Sequence, residues 1–265
     1  MVLSTHSLEA SSKHKMITAS TFQDIQAALS KLHAGSVIFI DVDDTLITPV
    51  SKVFRAGSPH RFLIDDLKKN REQYANFETI LSHWRLQRKT SLILQEWPEL
   101  IHILKKNYLV YALTKMETGA IGDIPSMENW RYEELKDKGI LFTPSFVETI
   151  EKTLIVEPSK PYSASFYKGI FITGSFNKSD VIRVYLKAEK PTQIVLIDDR
   201  PEYLEDVMQE CVRQSFPFIG ILFKGIEQIE GVPDSHVAEF QKRSLFDHAH
   251  WFEDEEAERL VSQEE

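Results

Sequence analysis

The 265-residue chain predicts an α/β fold, a Rossmann-like parallel sheet with helices on both faces and a small α-helical cap insertion. Three observations carry this. Apolar runs of buried-strand character recur at 37–40, 109–113, 170–173, 194–197 and 218–223. Segments of helical spacing alternate with them, the signature of a parallel sheet joined by crossovers. The connection between the first two runs is far longer than one crossover helix requires, so it must hold something extra.

Taken in order, residues 1–18 are rich in Ser, His and Lys without periodicity and read as a mobile leader. Phe22, Ile25, Ala28, Leu29 and Leu32 have helical spacing behind a Ser20 or Thr21 cap, and Gly35 ends the helix. The core is assigned to 19–48 and 96–250. Residues 49–95 form the cap, with helical patterns over 62–74 and 77–94 standing over one end of the sheet. Pro98 opens a helix through Leu100, Ile101 and Leu104, a second spans 128–138 before Gly139, and a third spans 177–188. Residues 251–265 read as a solvated, frayed acidic tail.

Bulk properties narrow the function. With 42% hydrophobic and 27% charged residues the chain is an ordinary globular protein, and no apolar run approaches the roughly 20 residues of a membrane span. The N-terminus lacks the basic flank and apolar stretch of a secretory signal. A net charge of −9 disfavours nucleic acid and anionic membranes, so an anionic substrate needs a local positive site. The single cysteine, Cys211, excludes an intramolecular disulfide and reads as a buried apolar residue. The histidines show no metal-ligand spacing.

Four motifs carry chemistry. Asp41 and Asp43, in Asp41-Val42-Asp43-Asp44-Thr45, follow an apolar strand, where an open parallel sheet binds ligands. Two carboxylates so spaced can divide labour, one as nucleophile and metal ligand, the other as proton carrier. Thr114 closes the second strand, where its hydroxyl can grip a phosphoryl oxygen. Lys178 opens a helix capped by Asn177 and Asp180, a position that favours anions. Asp198 and Asp199 follow the fourth strand, and with the first acidic pair they make a hard, oxygen-rich site suited to Mg²⁺. In the cap, Trp84, Arg85 and Arg88 share a helix edge that faces either a substrate or, with Trp84 packed between cap helices, the solvent. Trp97 and Trp130 read as packing residues.

This ordered set resembles the haloacid dehalogenase (HAD) superfamily, over roughly 22–248. The resemblance implies an aspartyl-phosphate mechanism. Asp41 would attack phosphorus, Asp43 would protonate the leaving group and help hold Mg²⁺ through its backbone carbonyl, Thr114 and Lys178 would stabilise phosphoryl charge, and Asp198 and Asp199 would bind metal. Asp43 favours phosphoryl transfer to water over dehalogenation. Asp44 stands where small-molecule phosphatases of the superfamily often have glycine. The helix from Trp130 to Gly139, Phe171-Ile172-Thr173-Gly174 and Phe218-Ile219-Gly220-Ile221 are similar to HAD-like proteins of intracellular bacteria, some of them secreted effectors acting on phosphotyrosine. The expected function is thus a Mg²⁺-dependent phosphomonoester hydrolase acting on a phosphoprotein or a small phosphomonoester. The expected location is cytoplasmic or, as the effector resemblance implies, a host cell reached without a cleaved signal. A non-catalytic protein of the same fold is the rival, opposed by retention of every catalytic residue type. Lys178→Ala and Asp43→Ala are each expected to impair turnover and spare the fold.

Overall fold

A computed structural model describes residues 13–55 and 57–264. Its elements in chain order are β1 (His14–Ala19), α1 (Phe22–Leu29), β2 (Ser36–Ile40), β3 (Ile47–Pro49), α2 (Leu63–Lys69), α3 (Phe77–Gln87), β4 (Thr90–Leu92), α4 (Trp97–Leu104), β5 (Leu109–Thr114), α5 (Met127–Lys136), β6 (Glu151–Ile155), β7 (Ala164–Tyr167), β8 (Ile170–Ile172), α6 (Lys178–Ala188), β9 (Gln193–Asp198), α7 (Pro201–Arg213), β10 (Phe218–Phe223), α8 (Ser235–His248) and α9 (Asp254–Glu264). The fold is α/β. An eight-stranded sheet has the order β1-β10-β9-β2-β5-β8-β7-β6, parallel as far as β8 and antiparallel for the last two pairings.

All five apolar runs become strands because each is buried on both faces. Along β2, Ile38 and Ile40 point into one core with α1, α4, α5 and α8, while Val37 and Phe39 point into the other with α6 and α7. In the second core Phe39 meets Tyr111, Phe171 and Tyr185 at centroid distances of 5.2–5.8 Å, mostly edge to face, as aromatic quadrupoles prefer. Thr21 caps α1 through a capping box with Asp24, as its sequence suggests.

Two expectations about the termini are corrected. Residues 14–18 are not part of a leader, because β1 pairs with β10 from His14↔Phe218 to Ala19↔Phe223. It is an edge strand with Lys15, Met16 and Thr18 exposed, and so lacks the apolar run of a central strand. Residues 1–12 of that expected leader lie outside the described residues. The acidic tail is docked, not frayed. Trp251 and Ala257 are buried, and the Asp254 carboxylate accepts from the Ser51 hydroxyl (2.5 Å) and the Lys52 N–H (2.9 Å). Glu253 accepts from the Lys89 N–H at 2.6 Å.

Those contacts grip the base of the insertion. Its two ends form an antiparallel ribbon, Ile47↔Leu92 to Pro49↔Thr90, which stops α3 at Gln87 short of the expected residue 94. Above the ribbon, Leu63, Leu67, Ile80 and Trp84 join the same apolar cluster as Ile38 and Ile40. The insertion is thus fused to one face of the sheet core. Among the described residues no helix is long and apolar enough to cross a membrane.

Candidate active site

β2 delivers Asp41 at its carboxyl end, and the Asp41 N–H donates to the Ile197 carbonyl of β9 at 2.9 Å. The chain leaves β2 toward β5 on one side and later leaves β9 toward β10 on the other. Strand order therefore reverses between β2 and β9, where open α/β sheets form their ligand crevice. Asp198 and Asp199 lie at the end of β9, and Lys178 is the first residue of α6.

Lys178 is fully buried, and its ammonium donates to Asp41 Oδ1 (2.5 Å) and Asp198 Oδ2 (2.6 Å). Asp41, Asp198 and Asp199 each offer an oxygen within 4.8 Å of the others. Two of the three carboxylates, Asp41 and Asp198, thus share one ammonium, and Asp199 stands beside them without it. Burial raises the Asp41 pKa to about 7, with Lys178 opposing and Asp198 adding to the rise. Burial, reinforced by Asp41 and Asp198, pushes Asp199 up to about 8, and burial raises Asp198 as well. For Lys178, burial alone would lower the pKa, but Asp198 and Asp41 outweigh it and keep the ammonium charged. Fully ionised, this all-oxygen donor set would be two charges short of neutrality, which fits a hard divalent cation.

Asp43, only two residues from Asp41, lies outside this cluster. Its carboxylate accepts from Arg131 Nη2 at 2.7 and 3.0 Å, with Arg88 at 3.8 Å. Burial alone would raise its pKa, yet Arg131 and Arg88 outweigh that and hold it down at about 2. Asp44 adopts φ +60°, the left-handed conformation that glycine takes most readily, and accepts from the Thr48 hydroxyl at 2.9 Å. Aspartate is among the few residues with a side chain that enter this conformation readily. Thr45 approaches Asp41 Oδ2 at 3.4 Å, and the buried Trp97 holds the turn by donating to the Thr45 carbonyl at 3.1 Å. The hydroxyl of Thr114, at the carboxyl end of β5 beside β2, is buried and has no hydrogen-bond partner.

Above the carboxylates lies a cavity of about 430 Å³, bounded by Asp41, Asp43 and Asp199 below and by insertion residues above. Arg85 and Arg88 line it. Of the two placements that the sequence left open, the solvated one is corrected, since both are buried, and both side chains face the cavity. Arg85 pairs with Glu117 and Arg88 with Glu134 (2.9 Å), which tie the insertion to the core. Trp84 packs against Phe54 and carries the Arg88 guanidinium 4.4 Å over its ring.

The sequence profile of the DUF2608 family, described as proteins of unknown function, matches residues 18–258. The chain belongs to the DUF2608 family. It is also 25% identical over 241 residues to the uncharacterized protein RP296 of Rickettsia prowazekii (strain Madrid E), a match covering 90% of this chain and 87% of that one. No solved structure matches it significantly.

In this DUF2608 chain the candidate-site residues missed from sequence are mostly charges: Arg131 and Glu117 on the cavity wall, and Glu134 paired with Arg131 and Arg88 behind it. Arg131 is buried, bonds to Asp43 and to Glu134 (2.7 Å), and lies 5.0 Å from the Trp130 ring centre. A signal for it existed. Met127, Arg131 and Leu135 recur at four-residue spacing and form the buried face of α5, so an arginine stands where an apolar residue is expected.

Proposed function

We propose that this chain is a Mg²⁺-dependent phosphomonoester hydrolase of HAD type, with Asp41 as nucleophile. The observation that carries this reading is the buried Lys178 ammonium shared by Asp41 and Asp198, with Asp199 completing a cluster still short of positive charge. Asp41, Asp198 and Asp199 would hold the cation, which when bound neutralises the cluster and polarises the phosphoryl group.

Lys178 orients Asp41 and favours its ionised form. A carboxylate oxygen of Asp41 bonds to phosphorus as the bond to the ester oxygen breaks, and the leaving oxygen takes a proton. Water then attacks the aspartyl phosphate, releasing inorganic phosphate and restoring the carboxylate. In this reading the buried Thr114 hydroxyl, which has no partner, would donate to a phosphoryl oxygen. Asp43 is the proton carrier in this reading, and it holds a proton only when Arg131 and Arg88 leave it for the arriving phosphoryl oxygens. Substrate binding and acid activation are thereby coupled.

The cavity, roofed by the insertion and of metabolite size, favours a small phosphorylated molecule over a phosphoprotein. Turnover of an aryl phosphate with Mg²⁺, compared between the native chain and Asp41→Asn, tests the proposal. Metal-dependent hydrolysis lost in the variant is expected, and equal rates would contradict it. The ion-paired Asp43 favours a second reading, a non-catalytic phosphate-binding protein, for which the same assay gives no turnover while phosphate still binds.

A further inference from the structure

The cavity wall holds more positive charge than a single phosphoryl group uses. Lys68 of α2, Arg85 of α3 and Lys115 after β5 border the cavity, and the only carboxylate they share is Glu117. Lys68 lies 3.4 Å from Glu117, and Arg85 is hydrogen-bonded to it. Lys115 donates to the Phe176 carbonyl at 2.6 Å and makes no ion pair among the described residues. Arg61, also on the wall, has Asp44 as a charged neighbour but makes no ion pair among the described residues, and its Nε–H lacks an acceptor. The buried side chains Arg88 and Trp84, lining the same cavity, each carry a ring or guanidinium N–H without an acceptor. Buried donors are normally satisfied, so several unmet donors along one cavity wall point to an acceptor-rich ligand.

These charges lie on the insertion and on the segment after β5, whereas the metal-binding carboxylates follow β2 and β9. Lys178 and the cation serve the floor, and Arg131 and Arg88 are at hand for the reacting phosphoryl group. Lys68, Arg85 and Lys115 then remain as three cations around one carboxylate, with Arg61 in addition. We propose that the cavity contains a second anion site formed by Lys68 and Lys115, and that the substrate is a small phosphomonoester bearing a second anionic group, a carboxylate or another phosphate. This inference rests on the hydrolase reading of the same cavity. A second charge engaged by two or three cations in a partly desolvated wall gives tenfold or greater discrimination.

The test uses matched pairs differing in the second anion: glycerol 3-phosphate against 3-phosphoglycerate, and fructose 6-phosphate against fructose 1,6-bisphosphate. Turnover with Mg²⁺ is measured on the native chain, and binding by calorimetry on Asp41→Asn. At least about a tenfold preference for one of the doubly anionic compounds is expected in both assays. The Lys68→Gln, Lys115→Gln double variant should reduce it to about twofold, the doubly anionic partner losing at least about fivefold more than the singly anionic one. Equal treatment of both members of each pair, or a preference that survives the double substitution, overturns the second anion site. Absence of turnover with the binding preference retained supports the site and overturns the hydrolase reading. Carboxylate and phosphate sources are separated by which pair shows the larger preference.

Discussion

Asp41 and Asp43 are the same residue type, two positions apart in one turn, yet their surroundings drive them in opposite directions. Asp41 lies among Asp198 and Asp199 with one ammonium, and its pKa climbs to about 7. Asp43 faces Arg131 and Arg88, and its pKa falls to about 2. The floor of the cavity thus lacks positive charge and the wall supplies it. The difference teaches that burial does not assign a carboxylate its role: the charge of its neighbours decides whether it recruits a cation or serves as a counter-ion.

Breaking the floor should have the largest effect. Replacing Lys178 by methionine or alanine removes the ammonium bonded to two buried carboxylates, and stability should fall by about 3–5 kcal/mol in metal-free denaturant titrations. This revises the expectation that Lys178→Ala spares the fold, and added Mg²⁺ should recover part of the loss. Arg131→Gln attacks the wall. Turnover should drop by about 10²-fold or more, and the limb of kcat/KM that requires a protonated Asp43, the alkaline one, should move upward as Asp43 loses its main counter-ion. Arg131→Lys should restore part of the rate, whereas a merely structural arginine would leave the pH profile unmoved.

A smaller effect sharpens the contrast through pH. Asp41 and Asp199 have raised pKa values in the folded chain, about 7 and about 8, and ionise near the ordinary carboxylate value of about 4 when unfolded. Between those limits the folded state holds more protons, so metal-free stability should fall as pH rises from about 5 to 8. Thermal melts should show Mg²⁺ raising Tm more at pH 8 than at pH 6. The smallest effect belongs to Asp44→Gly. The left-handed turn suits glycine, the Thr48 hydrogen bond is lost, and stability should change by less than about 1 kcal/mol in equilibrium unfolding.

The floor was legible in the sequence because Asp41, Thr114 and Asp198 lie at the ends of apolar strands, and Lys178 opens a capped helix at the same edge. Position along such strands fixes which edge of the sheet a residue reaches. The wall was far less legible. Arg85, Arg88, Arg131 and Glu134 resemble solvated helix charges until tertiary packing brings α3 against α5, and one sequence carries no record of that contact. The fold divides in the same way. Central strands announced themselves, while the half-exposed β1 and the polar β6, Glu151–Ile155, did not. The docking of α9 depends on Asp254 meeting Ser51 across more than two hundred residues, which local pattern does not encode.

In the proposed mechanism the division between floor and wall assigns the bond to phosphorus to Asp41 and not to Asp43. Mass spectrometry of acid-quenched enzyme during turnover of an aryl phosphate with Mg²⁺ tests this most directly. One phosphoryl group is expected on the peptide containing Asp41, absent without metal and absent in Asp41→Asn. Rapid turnover with no phosphoryl adduct, or an adduct that persists in Asp41→Asn, would contradict the assignment.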